Sequence, residues 1–465
     1  MVNDVSTIAA LATAPAPAGI AVIRVSGPLT RKALNHLFHA KSPPVDNPRM
    51  LCYGKLVDFQ TGNVIDKSLA VFMPAPNSYT GEDVAEIQLH GSLLLVQKVL
   101  RSLYSFGISP AEAGEFSKRA FLNGKLDLVQ VEAIRDMIQA TTDKALLVAS
   151  EQLEGRFSKA IESFGDPLRD SLAEIEAHLD FPEEDINPES FKKISSSIKK
   201  ARKQIQKLIF TYSYGQIVKD GFRVLLCGRP NAGKSSILNL LLGHDRAIVT
   251  EVPGTTRDLI EEEATFSGYK FVFCDSAGIT QTSDVVEKIG VELAYEKLKW
   301  ADLVLMVVDS TESMEDSMKT WMPILEDIKS KSHKIWLVFN KIDLAPDAIS
   351  KFAYESKSAD QIFYLSAKTH NGLETLITSL VEEIQSRIAD SSEGNTIITN
   401  ERHRTCLMRA EEALTRAVDV LKQNEPLELC SAELRLAFSA LEEIIGKTWT
   451  EDILGRIFSK FCIGK

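Results

Sequence analysis

Residues 228–235 read GRPNAGKS, the phosphate-binding pattern GxxxxGK followed by Ser or Thr. An apolar run at 224–227 precedes this loop, and an apolar helical pattern follows it. Glycines let backbone amides approach a phosphate closely, and the N-terminus of the following helix adds partial positive charge. We therefore expect Lys234 to bind β- and γ-phosphate oxygens and Ser235 to bind Mg²⁺. The stretch predicts a P-loop domain that binds a nucleoside triphosphate.

Apolar runs of strand length alternate with helical patterns on both sides of this loop. The runs lie at 224–227, 271–274, 303–308, 335–339 and 362–365. This alternation is typical of a mostly parallel sheet with helices on both faces. We therefore expect a Ras-like α/β domain over residues 219–385.

Two short motifs indicate which base the domain binds. Residues 340–343 read NKID after one predicted strand, and residues 366–368 read SAK after another. A carboxylate at Asp343 can accept both the ring N–H and the exocyclic amine of guanine, a pair that adenine does not offer. We expect Asn340 and Lys341 to steady the loop and the Ala367 amide to contact the guanine oxygen. The motifs predict GTP as the ligand and hydrolysis of GTP as the activity.

The residues expected around the γ-phosphate follow a third strand. Residues 275–278 read DSAG, so Asp275 should reach Mg²⁺ through water and the Gly278 amide should contact the γ-phosphate. The next residue is Ile279, where Ras-like enzymes place a glutamine that orients water, and a hydrocarbon cannot do so. The carboxylates of Asp284 and Glu287 follow as candidates for that task.

The first switch is expected at 250–258, which reads TEVPGTTRD and offers a threonine hydroxyl to Mg²⁺. Residue chemistry leaves two roles open here. Arg257 either supplies positive charge to the transition state or holds the loop through a carboxylate. The side-chain carbonyl of Asn231 either coordinates a monovalent cation along the triphosphate or makes a hydrogen bond within the loop.

Length and composition bound the rest of the chain. The 465 residues suffice for roughly three domains, and a net charge of −11 argues against a general nucleic-acid coat. The six cysteines form no CxxC pair, which favours a reducing compartment over a zinc site or a disulfide framework. The N-terminal apolar stretch is too short and too interrupted by proline to span a bilayer. We expect a cytoplasmic protein with no membrane segment.

The flanking regions differ from the nucleotide domain in their pattern. Residues 1–122 mix short apolar runs with turn clusters, as in an α+β domain. Helical periodicity marks residues 123–218 and returns over 386–465. One such stripe runs from Val131 to Ile161 and is expected to lie on one helix face. We therefore predict a helical-bundle domain of two segments, into which the α/β domain is inserted.

These motifs resemble the MnmE (TrmE) family, the tRNA modification GTPases of the wobble-uridine pathway. The resemblance rests on GTTRD at 254–258, GIAVIRVSG at 19–27, NSYTGED at 77–83, GEFS at 114–117 and the terminal FCIGK at 461–465, together with the nucleotide motifs. It extends over essentially the whole chain. It implies an N-terminal domain that binds a tetrahydrofolate and forms a homodimer, a two-segment helical domain and an inserted G domain.

The resemblance implies a one-carbon donor in the N-terminal domain, 5-formyltetrahydrofolate or methylene-tetrahydrofolate. Its ligands would be Arg24, Glu86, Lys125 and Lys465, since cations can bind the folate carboxylates and a glutamate can accept from the pterin amines. Cys462 would be the thiol near the one-carbon unit, in either a catalytic or a structural role.

In the G domain the resemblance implies K⁺-dependent hydrolysis driven by pairing of two G domains. Asn231 would hold K⁺ with backbone groups of Thr250, Val252 and Thr255. Ser235 and Thr256 would hold Mg²⁺, Glu287 would orient the attacking water, and Lys234 would serve catalysis. The whole GTP-binding set is Asn231, Ala232, Gly233, Lys234, Ser235, Ser236, Thr250, Glu251, Val252, Pro253, Gly254, Thr255, Thr256, Asp275, Ser276, Ala277, Gly278, Asn340, Lys341, Ile342, Asp343, Ser366, Ala367 and Lys368.

The implied activity is GTP hydrolysis coupled to modification of C5 of the tRNA wobble uridine. The implied partner is the FAD-containing protein MnmG, in a heterotetramer-type complex acting on tRNA. The alternative is a GTP-gated ribosome assembly factor, which would not need residues 1–122 or the FCIGK tail. The lysines at 192–193 and 199–203 form either a contact for tRNA or an ordinary solvated helix face.

Overall fold

The computed structural model describes residues 6–181, 188–244, 261–275, 298–312, 334–347, 359–389, 396–423 and 425–465. The chain divides into two compact units. The first comprises Met1–Ile138, Ala149–Ala201 and Glu412–Lys465, and the second comprises Gln139–Val148 and Arg202–Glu411.

The first unit contains a seven-stranded sheet. Its strands are β1 (Ile8–Leu11), β2 (Ala18–Ser26), β3 (Phe38–Ala40), β4 (Cys52–Val57), β5 (Val64–Met73), β6 (Val84–Gly91) and β7 (Ser109–Pro110). They lie in the order β3-β4-β5-β6-β2-β1-β7. Only the β1–β7 pair is parallel among these neighbours. The α+β pattern predicted for the N-terminal region is therefore present in the fold.

The helices of the described residues are α1 (Thr30–Leu37), α2 (Leu93–Ser105), α3 (Glu115–Leu122), α4 (Leu128–Gln139), α5 (Asp143–Leu153), α6 (Arg156–Asp180), α7 (Pro188–Asp220), α8 (Lys234–His244), α9 (Leu373–Ala389), α10 (Glu401–Gln423), α11 (Leu427–Ile445) and α12 (Glu451–Phe458). In the first unit, α6 packs on α11 although the two are far apart in sequence. Glu176 accepts a hydrogen bond from Arg435 at 2.7 Å, and Glu162 accepts one from Lys447 at 2.9 Å. Helical segments from both sides of residues 219–385 thus pack together.

One expectation about the helices was wrong. The apolar stripe from Val131 to Ile161 does not lie on a single helix, because it is divided among α4, α5 and α6. Gly155, between α5 and α6, has φ of +77°, a left-handed conformation that ends the helical path. Apolar spacing of three, four and seven persists across such a break, so periodicity alone does not reveal it.

The second unit contains a six-stranded sheet. Its strands are β8 (Phe222–Gly228), β9 (Glu261–Phe266), β10 (Tyr269–Asp275), β11 (Leu303–Asp309), β12 (Lys334–Asn340) and β13 (Gln361–Tyr364), in the order β13-β12-β11-β8-β10-β9. Every neighbouring pair is parallel except β9–β10. The prediction of a mostly parallel sheet is confirmed.

The sequence did not predict β9, because this edge strand begins with three glutamates at 261–263 and lacks a continuous apolar run. The central strands are buried on both faces and so carry such runs. Trp336, Phe222 and Phe271 are fully buried in the core of the unit. This core fixes the carboxyl ends of the parallel strands, where ligands bind in open α/β sheets.

Candidate functional site

The phosphate-binding loop joins β8 to α8 at the carboxyl edge of the second sheet. Gly233 in this loop has φ of +94°, and a Cβ atom placed on it would lie 2.1 Å from Asn340 Nδ2. Only glycine therefore fits here without displacing Asn340. Asn340 donates to the Ala232 carbonyl at 3.0 Å and accepts from the Ala367 amide at 3.1 Å. This one buried side chain connects the phosphate loop to the two base-binding motifs.

The two loop side chains expected to meet phosphate and metal are held differently. Lys234 is only 6% exposed, and its ammonium group donates to the carbonyls of Gly228 at 2.8 Å and Arg229 at 3.0 Å. Ser235 Oγ lies 2.7 Å from Asp275 Oδ2. A hydroxyl and a carboxylate side by side are the oxygen ligands that Mg²⁺ prefers, so this pair fits that ion.

Asn231 and Ser236, the remaining side chains predicted at the phosphates within this loop, are exposed. Asn231 has φ of +64°, a left-handed conformation that asparagine tolerates better than most residues. The described residues bring Asn231, Lys234 and Ser235 to one edge of the sheet, together with Asp275.

The guanine-binding motifs also converge at this edge. Asp343 Oδ1 accepts a hydrogen bond from Ser366 Oγ at 2.6 Å, so the two motifs are joined directly. The Ile342 amide donates to the Leu365 carbonyl, whereas the Lys368 side chain is exposed. Residues 340–343 and 366–368, separated in sequence, thus form one surface beside the phosphate loop.

The structure adds two charged contacts that the motifs did not indicate. Asp309, at the end of β11, accepts from the Lys341 ammonium group and from Thr311. Burial alone would raise the pKa of the Asp309 carboxyl, but these hydrogen bonds hold its pKa below the usual value. Arg229 pairs with Glu312 at 3.0 Å. The sequence indicated these contacts only through the positions of Asp309 and Glu312, which follow the carboxyl end of the predicted parallel strand at 303–308.

Part of the predicted set lies outside the described residues. These positions are Thr250, Glu251, Val252, Pro253, Gly254, Thr255, Thr256, Arg257, Ser276, Ala277, Gly278, Ile279, Asp284 and Glu287. Their predicted roles in switching, in binding K⁺ and Mg²⁺ and in orienting water therefore stay predictions.

In the first unit, Arg24 and Glu86 meet across neighbouring strands. They are register partners on β2 and β6, and the Arg24 guanidinium donates to Glu86 Oε1 at 2.8 and 2.9 Å. The same guanidinium lies over the rings of Tyr79, at 5.2 Å, and Phe116, at 5.7 Å. The alternate residues, such as Ile23, point into the core with α1 and α2, so this pair occupies the opposite face of the sheet.

The C-terminal tail packs beside the same sheet. Gly464 has φ of +99°, and a Cβ atom there would lie 2.1 Å from the Leu11 carbonyl oxygen, so the tail approaches β1 too closely for a side chain. β1 pairs with β2 on the side where Ala10 faces Arg24. Lys465 follows Gly464, so it lies at the end of a tail that packs on β1, the strand next to the one that carries Arg24. Cys462, three residues before Lys465, is exposed.

Lys125 lies elsewhere in the unit, beside the loop that contains Gly81. It also lines a cavity of about 440 Å³ together with Phe121, Leu122 and Trp449. In the described structure, Arg24 and Glu86 therefore pair directly, and the tail packs on β1, next to the strand of Arg24. Lys125 lies beside the loop that contains Gly81.

Arg119 on α3 is a further residue that the sequence did not indicate. It is 9% exposed and donates to Glu82 at 3.1 Å, to Glu115 at 2.7 Å and to the Ser6 carbonyl at 2.7 Å. Asn123 donates to the Thr80 carbonyl at 2.7 Å. These bonds hold the 77–83 segment, whose Tyr79 covers Arg24.

Comparison with known proteins assigns the family. The family described as MnmE helical domain matches residues 128–462, and the one described as GTP-binding protein TrmE N-terminus matches residues 7–125. A tRNA modification GTPase MnmE from Clostridioides difficile (strain 630) is 41% identical over 99% of both chains. The chain belongs to the MnmE family.

Other MnmE proteins match equally completely. The tRNA modification GTPase MnmE of Geobacter sulfurreducens is 40% identical over 99% of this chain and of its own. Membership of the MnmE family makes the chain a GTP-hydrolysing enzyme, as the nucleotide motifs predicted. The multidomain architecture predicted for it, with N-terminal, helical and G domains, is likewise confirmed.

Solved structures match part of this MnmE family member. The G domain of the T. maritima FeoB iron transporter is 30% identical over 36% of this chain and 98% of that chain, with a TM-score of 0.27. Aquifex aeolicus Era bound to GDP and AlF4⁻ is 26% identical over 41% of this chain and 66% of its own, with a TM-score of 0.28. The family assignment rests on the full-length relatives instead. Within the part of the chain that the structure covers, no helix has the length and apolarity to cross a membrane.

Proposed function

We propose that this protein couples GTP hydrolysis to modification of C5 of the wobble uridine in tRNA, acting in the cytoplasm. It would do so with an FAD-containing partner of the MnmG type and a tetrahydrofolate one-carbon donor. The observation that carries the proposal is the match to tRNA modification GTPases along 99% of the chain. A ribosome assembly factor would need neither the N-terminal sheet nor the tail packed on β1.

At the nucleotide site, each described residue has a proposed task. Lys234 would leave the Gly228 and Arg229 carbonyls to bind β- and γ-phosphate oxygens, and Asp343 would accept from guanine. Ser235 and Asp275 would hold Mg²⁺ with Thr256, which lies outside the described residues. When bound, Mg²⁺ supplies positive charge to the phosphate oxygens. Glu287, also outside the described residues, would orient the attacking water.

We further propose that K⁺ activates hydrolysis and that Asn231 is one of its ligands. The supporting observation is that Asn231 is exposed in the phosphate loop, in a left-handed conformation that turns its backbone there. A cation beside the triphosphate would supply positive charge in place of an arginine. The other proposed ligands, at Thr250, Val252 and Thr255, lie outside the described residues. Equal GTP turnover in KCl and in NaCl at one ionic strength would contradict this role.

The face of the N-terminal sheet that carries Arg24 supports the proposed folate site. Arg24 already holds a carboxylate, that of Glu86, and has aromatic rings above it, so a pterin ring and an acidic tail would meet suitable groups. Lys465 on the adjacent tail and Lys125 beside Gly81 would add cations. Cys462 would lie near the one-carbon unit because it precedes Lys465 by three residues.

The same face supports a homodimer through the N-terminal domain. Tyr53 on β4 is 66% exposed and Ile20 on β2 is 62% exposed, although both are large and largely apolar. Their register partners place them on the face that carries Arg24. Apolar side chains exposed together favour burial against a second surface. Sedimentation of the full chain as a monomer at micromolar concentration would reject the homodimer.

We predict that Gly464→Ala weakens binding of 5-formyltetrahydrofolate by at least about tenfold. An added Cβ atom would collide with the Leu11 carbonyl oxygen, so the tail and Lys465 would move away from β1. Isothermal titration of the full chain measures this affinity. Gly455→Ala is the matched control, because a Cβ atom there meets no other group. Equal affinity in both variants would remove the tail from the folate site.

The proposed function is tested by wobble-uridine modification in cells. We expect tRNA from cells lacking this chain to lose the C5 substituent, and the full-length gene to restore it. Mass spectrometry of digested tRNA measures the modified nucleoside. Unchanged modification in the deleted cells, with altered ribosomal subunit profiles, would instead favour an assembly factor.

A further inference from the structure

Asp309 occupies the carboxyl end of β11, beside the loop that follows β12. It is the register partner of Asn340, and the Ser310 amide donates to the Asn340 carbonyl at 2.9 Å. Parallel strands bring the loops that follow them to one edge of the sheet, so residues 309–312 lie against residues 340–343. Asp309 itself belongs to none of the motifs predicted to bind GTP.

The two carboxylate oxygens of Asp309 have different partners. Oδ1 accepts from the Thr311 amide at 2.9 Å and from Thr311 Oγ1 at 2.7 Å, and these bonds fix the orientation of the carboxylate. Oδ2 accepts from the Lys341 ammonium group. The Asp309 side chain is only 11% exposed and that of Lys341 is 32% exposed, so water screens the pair weakly. Thr311 thus orients the carboxylate, and the carboxylate holds Lys341.

The backbone of Lys341 depends on contacts of this kind. Its φ of +65° is a left-handed conformation, which is unfavourable for a residue with a side chain. The Leu344 amide donates to the Lys341 carbonyl at 3.0 Å, so this conformation forms the turn that contains Asp343. Such a conformation persists where the surrounding structure holds it. The ion pair with Asp309 is one of the contacts that hold it.

We propose that Asp309 is a positioning residue for guanine-nucleotide binding and that it acts through Lys341. By holding the ammonium group it keeps the 340–343 loop in its turn, with Asp343 beside Ser366. The inference rests on the proposed function, because it requires that Asp343 accept from guanine. Burial alone would raise the pKa of Asp309, but the bonds from Lys341 and Thr311 hold its pKa below the usual value, so the carboxylate is charged when it pairs.

The test uses Asp309→Asn in the full chain. The amide oxygen of an asparagine can keep both bonds from Thr311, whereas its N–H₂ group would face the Lys341 ammonium group, one donor against another. This variant therefore removes the ion pair and leaves the other contacts of the side chain in place.

Glu383→Gln is the matched control. Glu383 is buried and accepts from the Lys334 ammonium group at 2.7 and 2.8 Å, so this variant also removes a shielded lysine–carboxylate pair of the same unit. Lys334 begins β12, whereas the base-binding loop follows the other end of that strand. The control therefore reports the general cost of losing such a pair.

We expect Asp309→Asn to bind methylanthraniloyl-labelled GDP at least about tenfold more weakly, since a hydrogen bond between charged groups is lost. The KM for GTP should rise by a similar factor. Turnover at saturating GTP should stay within about threefold, because Lys341 belongs to the base-binding motif and Lys234 to the phosphate loop. Stopped-flow fluorescence and phosphate release measure these quantities. Glu383→Gln should stay within about twofold in all of them, even if its thermal stability falls.

A double variant shows whether the effect passes through Lys341. Lys341→Met keeps most of the hydrocarbon stem and removes the ammonium group. In that background, Asp309→Asn should weaken GDP binding by no more than about twofold, because the pair is already absent. An equal loss in both backgrounds would overturn the route through Lys341. Unchanged GDP affinity in Asp309→Asn alone would overturn the positioning role.

Failure of this inference can be told apart from failure of the proposed function. If Asp343→Asn weakens binding of the labelled GDP and Asp309→Asn does not, the base-binding site stands and Asp309 has no part in it. If Asp343→Asn binds the labelled GDP as tightly as the unaltered chain does, the proposed role of Asp343 is itself wrong.

Discussion

Replacing Lys234 with alanine should lower GTP turnover at saturating GTP by at least about a hundredfold. The ammonium group is buried and donates to two carbonyls of the phosphate loop, which it would exchange for β- and γ-phosphate oxygens. The negative charge that develops on the phosphate oxygens during hydrolysis would no longer be stabilised by the Lys234 ammonium group. Loss of one such preorganised donor typically lowers the rate by a factor of about 10² to 10³. Phosphate release under single-turnover and steady-state conditions measures the effect.

Lys299→Ala is the matched control for this variant. Lys299 is an exposed lysine of the same unit, and its removal should leave turnover within about twofold. Because Lys234→Ala also leaves two carbonyls without a donor, thermal unfolding should be measured for both variants. Turnover by Lys234→Ala within threefold of the unaltered chain, with normal folding, would remove this residue from the hydrolysis step.

The second large effect is a change of base preference in Asp343→Asn. Ser366 Oγ donates to the Asp343 carboxylate at 2.6 Å, and the Ala367 amide donates to Asn340 at 3.1 Å, so hydrogen bonds between the two motifs position the base-binding surface. An aspartate accepts two N–H groups from guanine, whereas an asparagine presents an N–H₂ group to the guanine amine. Two hydrogen bonds to a charged group are worth about 3 kcal/mol or more, so GTP affinity should fall by at least about a hundredfold.

Xanthine provides the decisive comparison, because it has a carbonyl oxygen where guanine has the exocyclic amine. Asp343→Asn should therefore bind xanthosine triphosphate better than GTP, which is the reverse of the unaltered chain. Competition titrations with both nucleotides measure the preference. Asp347→Asn, an exposed aspartate four residues further on, is the control and should keep its preference for GTP. A parallel loss of both nucleotides in Asp343→Asn would indicate a structural role instead.

The nucleotide motifs were predictable because each is local. A glycine-rich loop between a buried strand and a helix needs only adjacent residues, and parallel strands bring their following loops to one edge whatever their separation in sequence. The position of the Asn340, Asp343 and Ser366 motifs relative to Lys234 follows from that rule. By contrast, β9 was missed because an edge strand tolerates charged residues, and the break at Gly155 was missed because apolar spacing continues across it.

By itself, the amino-acid sequence determined the type of nucleotide domain and, apart from β9, the mostly parallel strands of its sheet. Its motifs also carried the family resemblance over the whole chain. Only the tertiary structure decided which distant side chains touch. The pairing of Arg24 with Glu86 depends on the antiparallel register of β2 and β6, and that of Asp309 with Lys341 depends on the alignment of β11 and β12. Such contacts are set by strand pairing and core packing across long sequence separations, where a one-residue shift would turn each side chain to the other face of its sheet.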